Sequence, residues 1–397
     1  MDRSGRIRTG ACVVAVLAGF GCSAHRTPEP KLGGAIPPAP APAVSVVTTD
    51  RLIVTPEAAI DVRELVEQGR RHLNEGRPSE ALAVFERVVQ HEAEGIWAEA
   101  ALFDTARAHE ELGDHRRASE SFEQLARRYP KGDYAREGLL RSIRLVLYLE
   151  DWKRGGELAR LYQERYANLS ASEALVVHAA RALASLQELQ ENGSEGAFEQ
   201  AEVQIAHGRR VIERHRLDSA GVIPRDLAQL YYALGELRRL KGERIRFDPL
   251  PTDFAETFER RAQLLLDAQQ AYSDAMRAHD AHWTAMAGFR VGELYHRLHT
   301  DVMAVPRPPG ANTDRRRRLF EAAVRLKYSV LLRKGLNMMD HTLRMAERTR
   351  ERSSWVDRAR AARRELERAL KQEQEAIDAS SFSREELQQI LKRIPAS

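Results

Sequence analysis

This sequence predicts an all-α protein, and three observations carry that expectation. Only 6% of its 397 residues are aromatic and 30% are charged, with Ala, Leu, Glu and Arg crowding the charged stretches, a mixture that favours helices over sheets. Near the C-terminus Trp355, Ala359, Ala362, Leu366 and Leu370 recur at spacings of three and four. Beyond about residue 60 the sequence also matches itself at an offset of 37 residues, the mark of stacked helical units.

The N-terminus reads as an export signal. Arg3, Arg6 and Arg8 precede an apolar run from Ala11 to Phe20, and the small residues Gly21, Cys22, Ser23 and Ala24 follow. The run is shorter than the roughly 20 residues a helix needs to cross a bilayer. We therefore assign residues 1–21 to a signal peptide. The stretch from Leu17 to Cys22 resembles a bacterial lipobox, in which cleavage exposes a cysteine that receives lipid, and this makes Cys22 the expected lipidation site. Gly19 departs from the branched residue usual there, and ordinary cleavage after Ala24 is the alternative.

Loss of residues 1–21 removes three arginines and one aspartate, so the formal charge falls from +4 to about +2 and nucleic-acid binding loses its main support. Both cysteines, Cys12 and Cys22, lie in the first 22 residues. The folded part can then contain neither a disulfide nor a thiolate metal site, and its core stands on packing alone. Residues 22–56 hold seven of the sixteen prolines, including the run Pro37-Pro38-Ala39-Pro40-Ala41-Pro42. Such a segment reads as an extended spacer that, at about 3.1 Å per residue, spans up to ~90 Å.

The repeat occupies residues 57–167. Leu65, Leu102 and Leu139 align at the offset, as do Ala81, Ala118 and Gly155, and Gly76 meets Gly113 while Phe85 meets Phe122. Each unit reads as a first helix, a glycine-containing turn, and a second helix carrying a small residue and then a large one four positions later. Small side chains let two antiparallel helices approach closely, and the aromatic one turn on fills the space beside them. A hairpin of this kind cannot bury its face alone, so successive hairpins must stack.

These residues resemble the tetratricopeptide repeat family. Gly69, Ala81 and Phe85 fit its pattern of small and large positions, as do Ala106, Ala118, Phe122 and Pro130, whereas the third unit has Ile143 and Ala159 with the sizes reversed. The turn Arg128-Tyr129-Pro130-Lys131-Gly132-Asp133-Tyr134-Ala135 looks like that of envelope members such as the outer-membrane assembly lipoprotein and the periplasmic division coordinator. The resemblance implies a right-handed superhelix of antiparallel helix pairs. It also implies that Arg70, Arg107 and Arg144, one repeat apart, face its groove. A rail of guanidinium groups there would suit an acidic or extended peptide segment. Glu110, Glu111 and Glu137 lie close enough in sequence to neutralise it.

Residues 168–310 read as degenerate helical repeats. Ser170 to Leu217 is helical in pattern. Leu234-Gly235-Glu236-Leu237 marks a first helix and Ala268, Tyr272 and Ala275 its second, with an insertion around Phe247 to Asp253; a further unit begins near Trp283 and breaks between Pro306 and Gly310. In residues 311–397, Trp355, Ala359, Ala362, Leu366 and Leu370 recur on a charged background, which predicts a long helical cap with Glu367 and Lys371 on its solvated face.

The run Arg315, Arg316, Arg317 and Arg318 is a candidate contact for anionic lipid, lipopolysaccharide or an acidic protein. His279 with His282, and His296 with His299, have a spacing that puts two imidazoles on one helical turn, but no motif of metal-ligand spacing accompanies them. The dipeptide Glu120-Ser121 is shared with glycan-cleaving transglycosylases, yet Ser121 directly precedes a core position. No phosphate loop or nucleophile elbow is present. The expectation is a protein without catalytic activity, cofactor, metal, small-molecule substrate or nucleic-acid partner. It would be lipid-anchored in the outer membrane, facing the periplasm and positioning envelope proteins. A cell-wall glycan or anionic-lipid binding module, using the run Arg315 to Arg318 with exposed aromatics such as Trp152, Tyr231 and Tyr232, is the alternative.

Overall fold

The computed structural model describes residues 61–391 except 92–93, 220–223, 248–252 and 305–312. The segments expected to be the signal peptide and the proline-rich spacer, with Cys22, lie outside the described residues. Fourteen helices and no strand occur among the described residues. Six consecutive pairs account for twelve of them: α1 (Val62–Asn74) with α2 (Pro78–His91), α3 (Ile96–Glu111) with α4 (His115–Arg128), α5 (Ala135–Tyr148) with α6 (Trp152–Arg165), α7 (Ala171–Asn192) with α8 (Glu195–His215), α9 (Leu227–Glu243) with α10 (Phe254–Arg277), and α11 (Ala281–Met303) with α12 (Asp314–Thr349). Then come α13 (Ser354–Asp378) and the short α14 (Arg384–Leu391). From α1 to α13 each helix packs on its neighbours in sequence, α14 packs on α12, and first helices also touch across pairs, α5 on α7, α7 on α9, and α9 on α11.

The 37-residue register reappears in the backbone. After α1, α3 and α5 the chain turns through Gly76, Gly113 and Glu150, one per repeat, each left-handed with φ of 72°, 77° and 62°. The following amide closes the helix in all three, Arg77 N–H to the His72 carbonyl at 2.8 Å, Asp114 to His109 at 2.9 Å and Asp151 to Val146 at 2.9 Å. This end motif satisfies carbonyls that the helix leaves open and points the chain back along itself. Asp114 and Asp151 then cap α4 and α6 by accepting from the amides of Arg117 and Arg154. Glu150 adopts the left-handed conformation without being glycine, at a cost of about 1–2 kcal/mol. Its carboxylate reaches across the fold to Ser354 and Arg358 of α13, each at 3.4 Å.

The small-and-large rule sets how close the helices come. A Cβ on Gly69 would lie 2.4 Å from the Phe85 ring, and one on Gly235 would lie 2.5 Å from the Tyr272 ring. Phe85, Phe122 and Tyr272 are completely buried. In the third unit Ile143 and Ala159, also fully buried, hold the same two positions with their sizes exchanged. The α11–α12 pair approaches through glycines on both sides: Gly292 faces Met339, and Gly335 faces the Gly292 carbonyl and Leu366 of α13. At the turn after α4, a Cβ on Gly132 would meet the Glu99 carboxylate, whose Oε1 accepts the Tyr134 amide at 2.8 Å.

The C-terminal cap is not a single helix. α12 ends at Arg350, left-handed at φ 57°, and α13 folds back along it, burying Leu332, Met339, Ala359 and Leu366 together. No glycine or proline marks this reversal, which is why the residue pattern reads straight through it. The exposed face of α13 does carry ion pairs, but they are Arg363 with Glu367 at 2.9 Å and Lys371 with Glu375 at 3.7 Å, rather than Glu367 with Lys371. α13 also packs on α11, where Phe289 and Trp355 ring centroids lie 5.4 Å apart.

A buried ion cluster joins α9, α10 and α11. Glu236 meets Arg239 at 2.7 Å and Arg290 at 2.9 Å, and accepts the Tyr272 hydroxyl at 2.5 Å. Burial pushes the Glu236 carboxyl up, but Arg290 and Arg239 outweigh it and hold it at about 2. Removing the carboxylate leaves two buried guanidinium groups uncompensated.

Three stability outcomes follow. Phe85→Ala lowers the unfolding free energy by about 3–5 kcal/mol and Gly69→Ala by about 1–3 kcal/mol. Combining Gly69→Ala with Phe85→Leu costs less than the two single changes summed, because the smaller side chain vacates the space the new methyl needs; urea unfolding of the four chains measures this. Glu236→Ala destabilises by about 3–5 kcal/mol in the same assay, more than a surface carboxylate would.

A candidate binding cavity between first helices

A cavity of about 710 Å³ opens between segments distant in sequence. Glu110 of α3, Arg141, Arg144 and Tyr148 of α5, Asp226 and Gln229 at the start of α9, and His279 to Trp283 at the start of α11 line it. His115, the first residue of α4, and Thr349 and Glu351 at the α12–α13 reversal complete the wall. These are mostly first helices of their pairs, held side by side by the hairpin packing described above.

An aromatic chain forms one wall. The His115 ring meets Tyr148 edge-on at 4.6 Å, Tyr148 stacks on His282 at 3.9 Å, and Trp283 lies 5.4 Å from Tyr232 in the core. His282 is only 4% exposed and its Nδ1 lies 3.7 Å from Glu351 Oε1. That imidazole pulls the Glu351 carboxyl down; burial opposes it, Ser353 adds to it, and the result is about 2. Burial, with the carboxylates of Glu351 and Asp280 nearby, pushes the Tyr148 phenol up.

The three arginines of the expected rail occupy repeat-equivalent positions, but their charges are already engaged. Asp104, with its side chain 2% exposed, holds Arg70 at 2.7 Å and Arg107 at 3.0 Å. Arg144 grips both oxygens of Asp226, at 3.1 and 3.0 Å, 82 residues further on. Only Arg144 of the three lines the cavity. The neutralising acids are therefore Asp104 and Asp226, whereas Glu110 and Glu137 both hold Arg141, at 2.9 Å each. Asp104 carried a usable signal, an acid on the first helix within one turn of Arg107. Asp226 carried none, because only the tertiary fold brings it to Arg144.

The remaining candidates lie elsewhere. Arg315 to Arg318 form the first turn of α12 behind the cap Thr313. Asp314 pairs with Arg317 and Arg318, Arg315 reaches Glu386 of α14 at 3.0 Å, and these acids offset the charge that opposes the helix dipole. His279 is not on a helix with His282; it precedes the cap Asp280 in a left-handed conformation, φ 56°. His296 and His299 do share α11, with His299 buried 3.8 Å from Glu373. No group of three or more His, Cys, Asp and Glu among the described residues is placed to hold a metal ion. Glu120 is exposed and Ser121 half-buried on α4. Tyr232 is buried, while Trp152 and Tyr231 are half-buried against the core, so these aromatics do not form an exposed binding surface.

No protein-family model matches this chain, and no curated protein matches it. Among solved structures it aligns with a circular tandem repeat protein with novel repeat topology and enhanced subunit contact surfaces, at 15% identity and a TM-score of 0.17, over 81% of this chain. The chain spans 66% of that protein's length, just under two thirds. At that TM-score the likeness adds nothing to the architecture described above. No described helix is long and apolar enough to cross a membrane.

The Glu351 contact has a pH signature. Its carboxyl is held at about 2 against an ordinary 4.5, so its stabilising share is complete above about pH 4.5 and is lost as pH falls through about 2. Urea unfolding of the native chain and of Glu351→Gln from pH 6 to pH 2 should show a gap that closes as the pH falls.

Proposed function

We propose that this protein is a non-catalytic scaffold for protein–protein interaction, built from tetratricopeptide-like repeats and held at the bacterial outer membrane by lipid on Cys22. The observation that supports the scaffold reading most directly is the in-register stacking of helical pairs, with the same turn after α1, α3 and α5 and a cavity lined chiefly by first helices. A rigid array of this kind offers a broad preformed surface at little ordering cost to itself.

The envelope placement rests on the sequence. Arg3, Arg6 and Arg8, the apolar run and Cys22 supply export and anchoring, and the proline-rich segment supplies reach. Anchoring raises the local concentration of whatever the array holds, so modest intrinsic affinities suffice. Its partners in this reading are periplasmic proteins of an assembly, cell-wall or motility complex.

Crosslinking in the native envelope followed by affinity purification tests the scaffold reading: a reproducible set of envelope proteins should accompany the chain, and recovery of the chain alone would overturn it. Cys22→Ser should move the protein from the membrane fraction into the soluble periplasm, whereas an unchanged membrane fraction would remove the anchor.

A further inference from the structure

The cavity contains polar groups that the fold buries and leaves without partners. Gln229 is 5% exposed, and its Oε1 accepts no hydrogen bond. His115 Nδ1 and His282 Nε2 are likewise buried without a hydrogen bond, whereas His282 Nδ1 faces Glu351 at 3.7 Å. A buried polar group left unpaired costs about 1–3 kcal/mol, so several converging on one space mark a site that something else completes.

The charge around that space has a definite sign. Three arginines face four carboxylates, a formal balance of −1 with the histidines neutral. Arg141 and Arg144 are spent on Glu110, Glu137 and Asp226, so an anion would have to displace those pairs. Groups still able to accept a proton donor are more plentiful. Asp280 uses only Oδ1, for the Trp283 amide, and Glu110 gives only Oε2 to Arg141. Gln229 Oε1 and the Tyr148 hydroxyl also accept nothing from the described residues. The opposing cation is Arg225, exposed at the rim, whose guanidinium has no ion-pair or hydrogen-bond partner among the described residues.

From this we infer that the cavity is a recognition site for an organic cation, a guanidinium or primary ammonium group presented either by a small diamine-like molecule or by a basic side chain of a partner segment. A volume of about 710 Å³ falls within the range of small-ligand sites, about 300–1,000 Å³. The multiple N–H donors of a guanidinium match the scattered acceptors better than a single hydroxyl would. The inference goes beyond the scaffold reading and does not depend on membrane placement.

Calorimetric titration of the intact chain with agmatine and with a blocked tripeptide carrying a central arginine tests it. Matched tripeptides with a central citrulline or glutamate serve as controls. Binding of agmatine alone assigns a free small cation, and binding of the arginine tripeptide assigns a partner side chain; both support the site. Asp280→Asn, which keeps the helix cap, and Glu110→Gln should each weaken the cation about fivefold, and Arg225→Ala should strengthen it about fivefold, the size of one screened charge contact. Circular dichroism confirms that each variant folds. The inference is overturned if neither cation binds, if the glutamate tripeptide binds in preference, or if cation binding ignores all three substitutions. Envelope proteins still captured by the Asp280→Asn chain would keep the scaffold reading intact whichever result is obtained.

Discussion

The close approach of paired helices at small residues is the constraint on which the rest of the structure depends. Where Gly69 meets Phe85 and Gly235 meets Tyr272, there is no room for even a methyl group between backbone and ring. That contact fixes the distance and register within each pair, and each pair then presents a fixed face to the next. Because the stacking is sequential, a displacement in one pair passes to its neighbours, and the cavity wall, assembled from α3, α5, α9 and α11, inherits its geometry from them. The third repeat shows what is conserved in the physics: Ile143 and Ala159 keep the summed bulk while exchanging places.

Charge is the second organising element. Asp104 ties Arg70 of the first unit to Arg107 of the second, Asp226 ties α9 to Arg144 of the third, and Glu236 draws two arginines into the core between α9 and α11. A buried pair of this kind adds little net stability compared with an apolar contact, but losing one member is costly. Such pairs therefore disfavour other registers of helix stacking, where the same charges would be buried alone. The arrangement also explains why an arginine-rich chain does not present a continuous cationic face along α1, α3 and α5.

The C-terminal hairpin does more than cover the last repeat. Its reversal at Arg350 brings Glu351 to His282, and α13 reaches Glu150 at the turn of the third repeat, more than 200 residues away in sequence. Glu150 holds a left-handed conformation where the first two repeats have glycine, and its side chain makes the contact to α13. The backbone cost at that turn is thus coupled to the docking of the C-terminal helices. Together Tyr148, His282 and Glu351 join α5, α11 and the end of α12 around the cavity.

By itself the sequence determined the helical class, the 37-residue register of the first three units and the small and large positions within the first two, because each is written in residue types that recur at fixed spacing. Ser170, Gly193 and Ser194 bound α7 and α8, a division absent from the reading of Ser170 to Leu217 as one helical stretch. Tertiary structure alone decided that Asp104 reaches Arg70 and Asp226 reaches Arg144, that α12 and α13 are two helices, and that a cavity exists at all. Those features join residues 34 to 208 positions apart through single contacts, which leave no period in the chain and no local breaker at Arg350.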